Sequence, residues 1–331
     1  MSQVVSLREL FHAVSAHDGA DTYAEVLAPW LQRSAAATRE AFAPLSVHGR
    51  WRREIYVFGD LLELAYALGR VNDLLLLGFQ PDLPPGTETP WAHELHMPQR
   101  LPLITVAEYL AFFAALGMSS IETGAFDPFF HEIVTIEQAD DPHRPIEITG
   151  TRWPGLMLGE LMFSRAGVTV RAGVRHAVAG IADQSTLFEV FMRRHRHTID
   201  GSLGWGHNSQ WKTDFRRDYL TASAYHFNVD AMADIDDDPV PAQADMTRTE
   251  QNNLLRYRCL VRPLENPAAE NHPVPADRRL TVPRALSRGA NDDDPPTAHP
   301  HASITPSFRK DVKAAKPLPR DARVAGSLAR E

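Results

Sequence analysis

Residues 193–211 hold three histidines (His195, His197, His207), two tryptophans (Trp205, Trp211) and three glycines, and a cationic run at 212–219 follows directly. A neutral imidazole nitrogen can ligate a metal or carry a proton near neutral pH. Indole rings offer flat apolar surfaces, glycines let backbone approach a ligand, and arginines hold anions through charge-assisted hydrogen bonds. His195 and His197 stand two apart, so on a helix they leave by different faces and cannot share one metal ion. No other stretch of the chain brings ligands, stacking surfaces and anion-holding groups so close together.

The element that must position this set is the preceding segment. Residues 182–194 read as a helix with Leu187, Phe188, Val190 and Phe191 inward, and positions 188, 191 and 195 then share one face. Such a face suits a haem: His195 toward the iron as a single axial ligand, Phe191 against the macrocycle, and Arg194 with Arg193 and Arg196 toward the propionates. The same spacing also fits a basic, solvated helix end with a capping histidine. The loop at 204–209 follows, in which Trp205 stacks and Asn208, Ser209 and, further on, Arg216 hold the carboxylate and amine of an amino acid. His207 belongs to that loop and meets substrate or propionate rather than iron; an ordinary Gly/Asn/Ser turn is the plainer alternative.

A second histidine source is the proline-framed loop at 79–102, with His93, Glu94 and His96. A loop of that length in a compact domain is often functional, and a distal histidine there would act as general base or polarise bound peroxide. Two surface histidines are the alternative. His131-Glu132 is half of a non-haem iron triad, which one of His195, His197 or His207 would have to complete. Zinc-protease, nucleophile-elbow, Walker and dinucleotide-binding signatures are absent from the sequence.

The 331 residues carry a net charge of −8, against a dedicated nucleic-acid partner. Cys259 is the only cysteine, so an intrachain disulfide and thiolate zinc sites are excluded. The start of the chain lacks a signal-peptide pattern, and the longest apolar run, 74–79, is too short for a membrane span. A soluble cytoplasmic protein is expected. Helical periodicity covers 1–44, 50–78, 106–118 and 153–163, with Glu63 and Asp73 expected in solvent. Residues 126–137 are ambiguous between helix and strand, and 145–151 and 168–174 alternate like strands. The expected architecture is mainly α with minor β: a helical haem-binding domain at 1–230, a peripheral extension at 231–264, and a disordered Pro/Arg/Asp-rich tail at 265–331.

Arg194-His195, with Ile199 four residues on, Gly204 nine residues on and then the 206–209 loop, resembles the helical haem-dependent aromatic oxygenases, the superfamily of tryptophan 2,3-dioxygenase. It lacks the dioxygenase's glycine-threonine-rich loop and is more similar to the branch of haem-dependent L-tyrosine hydroxylases. The resemblance implies haem b with His195 as proximal ligand and His93, in preference to His96, as distal histidine. It implies peroxide-driven hydroxylation of a phenolic amino acid to a 3,4-dihydroxyphenylalanine-type product in specialised metabolism. The expected partner is a small aromatic amino acid, with a homodimer as the assembly and no nucleic acid or membrane. Leu255, four before Cys259, denies the histidine that a cysteine haem link of that family uses. Two rival readings are a non-haem metal-dependent oxygenase and a non-catalytic anion- or partner-binding protein whose patch is residues 193–217.

Overall fold

The computed structural model describes residues 3–18, 21–52, 60–81, 101–121, 124–200, 211, 213–237, 246–266 and 278–284. Among these residues five α-helices combine with twelve strands in an α/β fold. The mainly α expectation is thereby corrected.

Four helices form the N-terminal layer: α1 (Gln3–Ala16), α2 (Ala28–Phe42), α3 (Asp60–Leu76) and α4 (Val106–Ala115). In α1 the apolar positions recur at helical steps, and Leu7, Leu10, Phe11 and Val14 are all buried. Pro29 sits in the first turn of α2, where its missing N–H costs nothing. α4 opens on a capping box between Thr105 and Glu108 and closes at Gly117, with φ +89°. α3 differs from its neighbours. Leu62, Leu68, Val71 and Leu75 are covered, but so are Arg70, Asn72, Asp73 and Glu63. It is a central helix with polar groups locked inside it, so the expectation of solvated Glu63 and Asp73 fails. The Arg70 guanidinium lies 3.9 Å from the centroid of Trp211, 4.0 Å from that of Phe191 and 5.0 Å from that of Phe11, stabilised by the ring faces.

Two sheets face this layer. β2 (His131–Gln138), β6 (Ala166–Ala172) and β3 (Glu147–Trp153) make a three-stranded sheet with β6 in the middle, parallel to β2 and antiparallel to β3. The β-branched run Ile133, Val134, Thr135 and Ile136 decides the ambiguous segment in favour of strand. A seven-stranded sheet follows the order β1 (Ser119–Ser120), β4 (Leu156–Leu158), β5 (Leu161–Ser164), β9 (Asp218–Leu220), β10 (Ala224–Phe227), β12 (Arg278–Pro283) and β11 (Ala233–Asp234). β12, inside the stretch that composition assigns to a tail, pairs with β10 over residues 280–283 and with β11 at 278–279. Residues 285–331 lie outside the described residues. α5 (Arg248–Tyr257) carries a second capping box, Thr247 with Glu250.

Two predicted helices are absent. Residues 153–163 instead make the β4–β5 hairpin, turned by Gly159 at φ +58°, where a Cβ would lie 2.3 Å from the Ser46 carbonyl oxygen. Both faces of these strands are buried, so the apolar run is continuous and imitates helical spacing. Residues 182–194 are extended around β7 (Leu187–Phe188), which pairs in parallel with β8 (Thr198–Ile199). Leu187 joins the core of Ile133 and Val168, Phe188 packs on Met246 and Leu254, and Phe191 packs against the helical core. Three separate cores need three directions from neighbouring residues, which one helix face cannot supply. Among the described residues no helix is long and apolar enough to cross a membrane.

Gly167 on β6 pairs with Trp153, and a Cβ there would come within 2.3 Å of the indole ring. Gly167→Ala is expected to lower stability in urea by about 1–3 kcal/mol through overpacking. Gly124→Ala, with nothing within 4 Å, should stay within about 0.5 kcal/mol of the parent. Equal losses at both positions would contradict this packing.

Candidate functional site

A cavity of about 60 Å³ lies between α3, β5 and the segment carrying residues 187–193, and residues 213–216 complete its lining. Phe163 and Phe215 form one wall, stacked with centroids 5.5 Å apart at 14°, and Phe215 packs over Gly69 of α3. Uncharged side chains such as Leu187, Val190 and Ser164 add to the lining, and charged side chains enter it from Glu189, Asp200 and Asp214 and from two buried clusters.

The first is an ionic triad. Arg193 donates from Nη1 to Asp73 Oδ1 (2.8 Å), from Nε to Glu132 Oε1 (2.9 Å) and from Nη2 to Glu132 Oε2 (2.9 Å). Asp73 Oδ2 also accepts the backbone N–H groups of Phe191 and Met192, at 3.0 and 3.1 Å. Burial raises the Asp73 pKa against the pull of Arg193. Burial also opposes ionisation of Glu132, but there Arg193 wins and the pKa falls. Burial would lower the Arg193 pKa as well, and Asp73 and Glu132 together drive it up. Behind α3, Asn72 accepts from the Tyr109 hydroxyl (2.7 Å) and donates to Ser164 (3.2 Å), fixing the helix against β5.

The second cluster gathers three arginines around Asp218, which is 0% exposed. Arg216 Nε donates to Oδ1 at 3.0 Å and Arg258 Nη2 to Oδ2 at 2.8 Å. The Asn228 N–H adds a bond to Oδ1 at 2.8 Å. Burial would raise the Asp218 pKa, but Arg216 and Arg258 hold it well below the usual carboxylate range. Arg165 is only 5% exposed and lies 3.5 Å from Asp218, yet none of its three nitrogens has a hydrogen bond among the described residues. Burial, and then the neighbouring Arg258, push its pKa down to about 9. Arg216 Nη1 and Arg258 Nε are likewise buried without a hydrogen bond among the described residues. Two of the residues at the cavity, Glu189 at φ +58° and Arg258 at φ +60°, hold left-handed backbone that a non-glycine residue rarely adopts. Strain of that kind concentrates at functional sites.

The residues singled out by sequence scatter across this picture. Arg216 lines the cavity, as does Phe191. His195 is buried at 8% exposure but is not part of the lining; its Nδ1 lies 3.4 Å from Gln80 Oε1, an oxygen that also accepts the Arg194 N–H. His195 Nε2 has no partner among the described residues, and burial lowers the ring's pKa to about 4. His197 is exposed. His131 is buried, its Nδ1 accepting the Asp127 N–H at 3.0 Å. Arg196 donates to the carbonyls of Ser185, Ile133 and Ala182, and Arg217 to Asp230 at 2.5 Å and 2.7 Å. The arginines of 193–217 are thus mostly consumed inside the fold, and do not form an external patch. His93, His96, Trp205, His207, Asn208 and Ser209 lie outside the described residues.

The described residues do not fit a haem on His195. The helix face that would wall it is not formed, since Phe188 and Phe191 pack into different cores. Nor is there, among the described residues, any group of three His, Cys, Asp or Glu side chains placed to hold a metal ion. Glu132, the carboxylate of the suggested non-haem set, is committed to Arg193. Sequence reading missed Arg165, Asp218 and Arg258. Arg165 did leave a signal, as the one charged residue in the otherwise uncharged run 161–170.

Arg193→Met would leave Asp73 and Glu132 buried without their cation, so urea unfolding should show a loss of about 3–5 kcal/mol. A loss under about 1 kcal/mol would contradict the triad. A pH series tests His195. Its folded pKa of about 4 lies below the ordinary 6.5, so the unfolded chain takes up a proton first as pH falls. That stability is fully present above about pH 6.5 and is lost progressively toward pH 4, about 3 kcal/mol at about 1.4 per pH unit. His195→Asn should flatten the curve in this window; an unchanged slope would show that His195 is not buried neutral.

Comparison with protein-family models, with curated proteins and with solved structures found no match to this chain.

Proposed function

We propose that the chain is a binding protein for a small oxyanion, received by Arg165 with Arg216 and Arg258 in the cavity beside Asp218. The observation that carries this reading is Arg165. A guanidinium has five N–H donors, and burying them without acceptors costs free energy that a folded protein normally avoids. One carboxylate among three arginines leaves that cluster with an excess of positive charge, and all three arginines line the cavity. A carboxylate or phosphate oxygen would supply the missing acceptors in the fork geometry that arginine favours. The volume limits the guest. At about 10–15 Å³ of accessible space per water, about 60 Å³ takes a molecule of a few heavy atoms.

The haem-dependent hydroxylation that the sequence resemblance implies is not carried forward, because the described residues around His195 do not fit the group. No chemical step is assigned to the cavity; the reading is one of recognition.

Calorimetric titration with acetate, glycine and inorganic phosphate at low ionic strength tests it. At least one should bind, and Arg165→Met should abolish the heat of binding. The same variant should unfold at an equal or higher urea concentration than the parent, since an apolar side chain replaces a buried, unbonded charge. Undiminished binding by Arg165→Met, or no binding of any of the three by the parent, would overturn the proposal.

A further inference from the structure

The lining of the cavity holds more unmet donors than those of Arg165. Six buried atoms on four lining residues have no hydrogen bond among the described residues: Arg165 Nε, Nη1 and Nη2, Arg216 Nη1, Arg258 Nε and Thr213 Oγ1. Thr213 is 9% exposed, on the same short segment as Arg216. Guanidinium nitrogens only donate. A hydroxyl facing an ionised oxygen makes one of the short, strong hydrogen bonds. All six atoms are therefore suited to the oxygens of one kind of guest, and they differ from it only in number.

We infer that the guest is a tetrahedral oxyanion, inorganic phosphate, and that the Thr213 hydroxyl is one of the groups that bind it. This rests on the oxyanion reading above and names the class of anion. An acetate-type carboxylate has two oxygens with about four acceptor positions, whereas Arg165 alone presents five N–H groups. A carboxylate held by Arg165 therefore has little left for the other three residues. Phosphate can meet the fork of Arg165 through two oxygens and keep its others for Arg216, Arg258 and Thr213. It is also within the few heavy atoms that about 60 Å³ takes. The same lining holds the buried carboxylates Asp73 and Glu132, both accepting from Arg193. Net charge thus does not choose between one oxyanion and another; the number of acceptors does.

Titration of the full chain with inorganic phosphate and with acetate, at one ionic strength and pH 7, tests the assignment. Phosphate should bind about tenfold more tightly than acetate or better, the gain of one further charge-assisted hydrogen bond. Thr213→Val should weaken phosphate about tenfold while acetate stays within about twofold of its parental affinity, and Thr213→Ser should keep phosphate within about twofold. Acetate binding as tightly as phosphate would overturn the tetrahedral assignment and leave the oxyanion site standing. Undiminished phosphate binding by Thr213→Val would overturn the role of Thr213. If neither anion binds, this inference and the oxyanion reading both fall. In urea Thr213→Val should unfold at the same or a higher concentration than the parent, because a buried, unbonded hydroxyl is replaced by a methyl group; should it fail to fold, Thr213→Ala takes its place with the same expected loss of phosphate affinity.

Discussion

The Asp73–Arg193–Glu132 triad is the constraint on which the rest of the molecule depends. It ties three parts of the chain that share no strand pairing: the central helix α3, the edge strand β2, and the extended segment after β7. Ion pairs out of water gain little net stability over apolar packing, because both partners lose their hydration. Once formed, however, they tolerate almost no change of geometry, because a broken pair leaves a buried charge. Asp73 extends the grip by accepting two backbone N–H groups from residues 191 and 192. The segment is therefore fixed to α3 by its main chain as well as by Arg193, and the cavity wall it carries is fixed with it.

The second arginine cluster obeys the opposite logic. In the triad each guanidinium face has a carboxylate, and the group closes on itself. Around Asp218 the cations outnumber the anion, and Arg165 is left without a hydrogen bond among the described residues. Its backbone is well held, since the Trp153 indole donates to the Arg165 carbonyl at 3.0 Å and Trp153 in turn fills the space above Gly167. Packing thus places a charge where electrostatics alone would not leave it. The backbone at Glu189 and Arg258 adds strain at the same spot, and the two are joined by a bond from Arg258 Nη1 to the Glu189 carbonyl at 3.3 Å. A site that is costly to build, in charge and in backbone geometry together, is coherent if a ligand supplies the missing acceptors.

How much of this the sequence discloses depends on which signal each element leaves. α1 and α4 are readable because their apolar positions recur at helical steps on a buried face, and Gly117 marks the end of α4. The polar residues within α3 are not, since hydropathy places Asp73 and Glu63 in solvent and only tertiary partners bring them inside. The β4–β5 hairpin escapes because a strand buried on both faces shows no alternation. Residues 182–194 mislead for a different reason: Leu187, Phe188 and Phe191 are apolar at helical spacing but serve three cores. Of the site, Arg216 is the member that local reading reached as an anion-holding group. Arg165, Asp218 and Arg258 come together only through the order of the seven-stranded sheet and the position of α5, long-range pairings that spacing does not encode.

Recognition in the cavity depends on whether Arg165 meets an acceptor from outside the chain. The most direct measurement is a high-resolution crystal structure of the protein grown with excess inorganic phosphate. A phosphate with its oxygens about 2.7–3.0 Å from the Arg165 nitrogens, in the cavity beside Asp218, is the predicted result. An Arg165 side chain that instead turns to bond protein carbonyls, with no guest in the cavity, would contradict it.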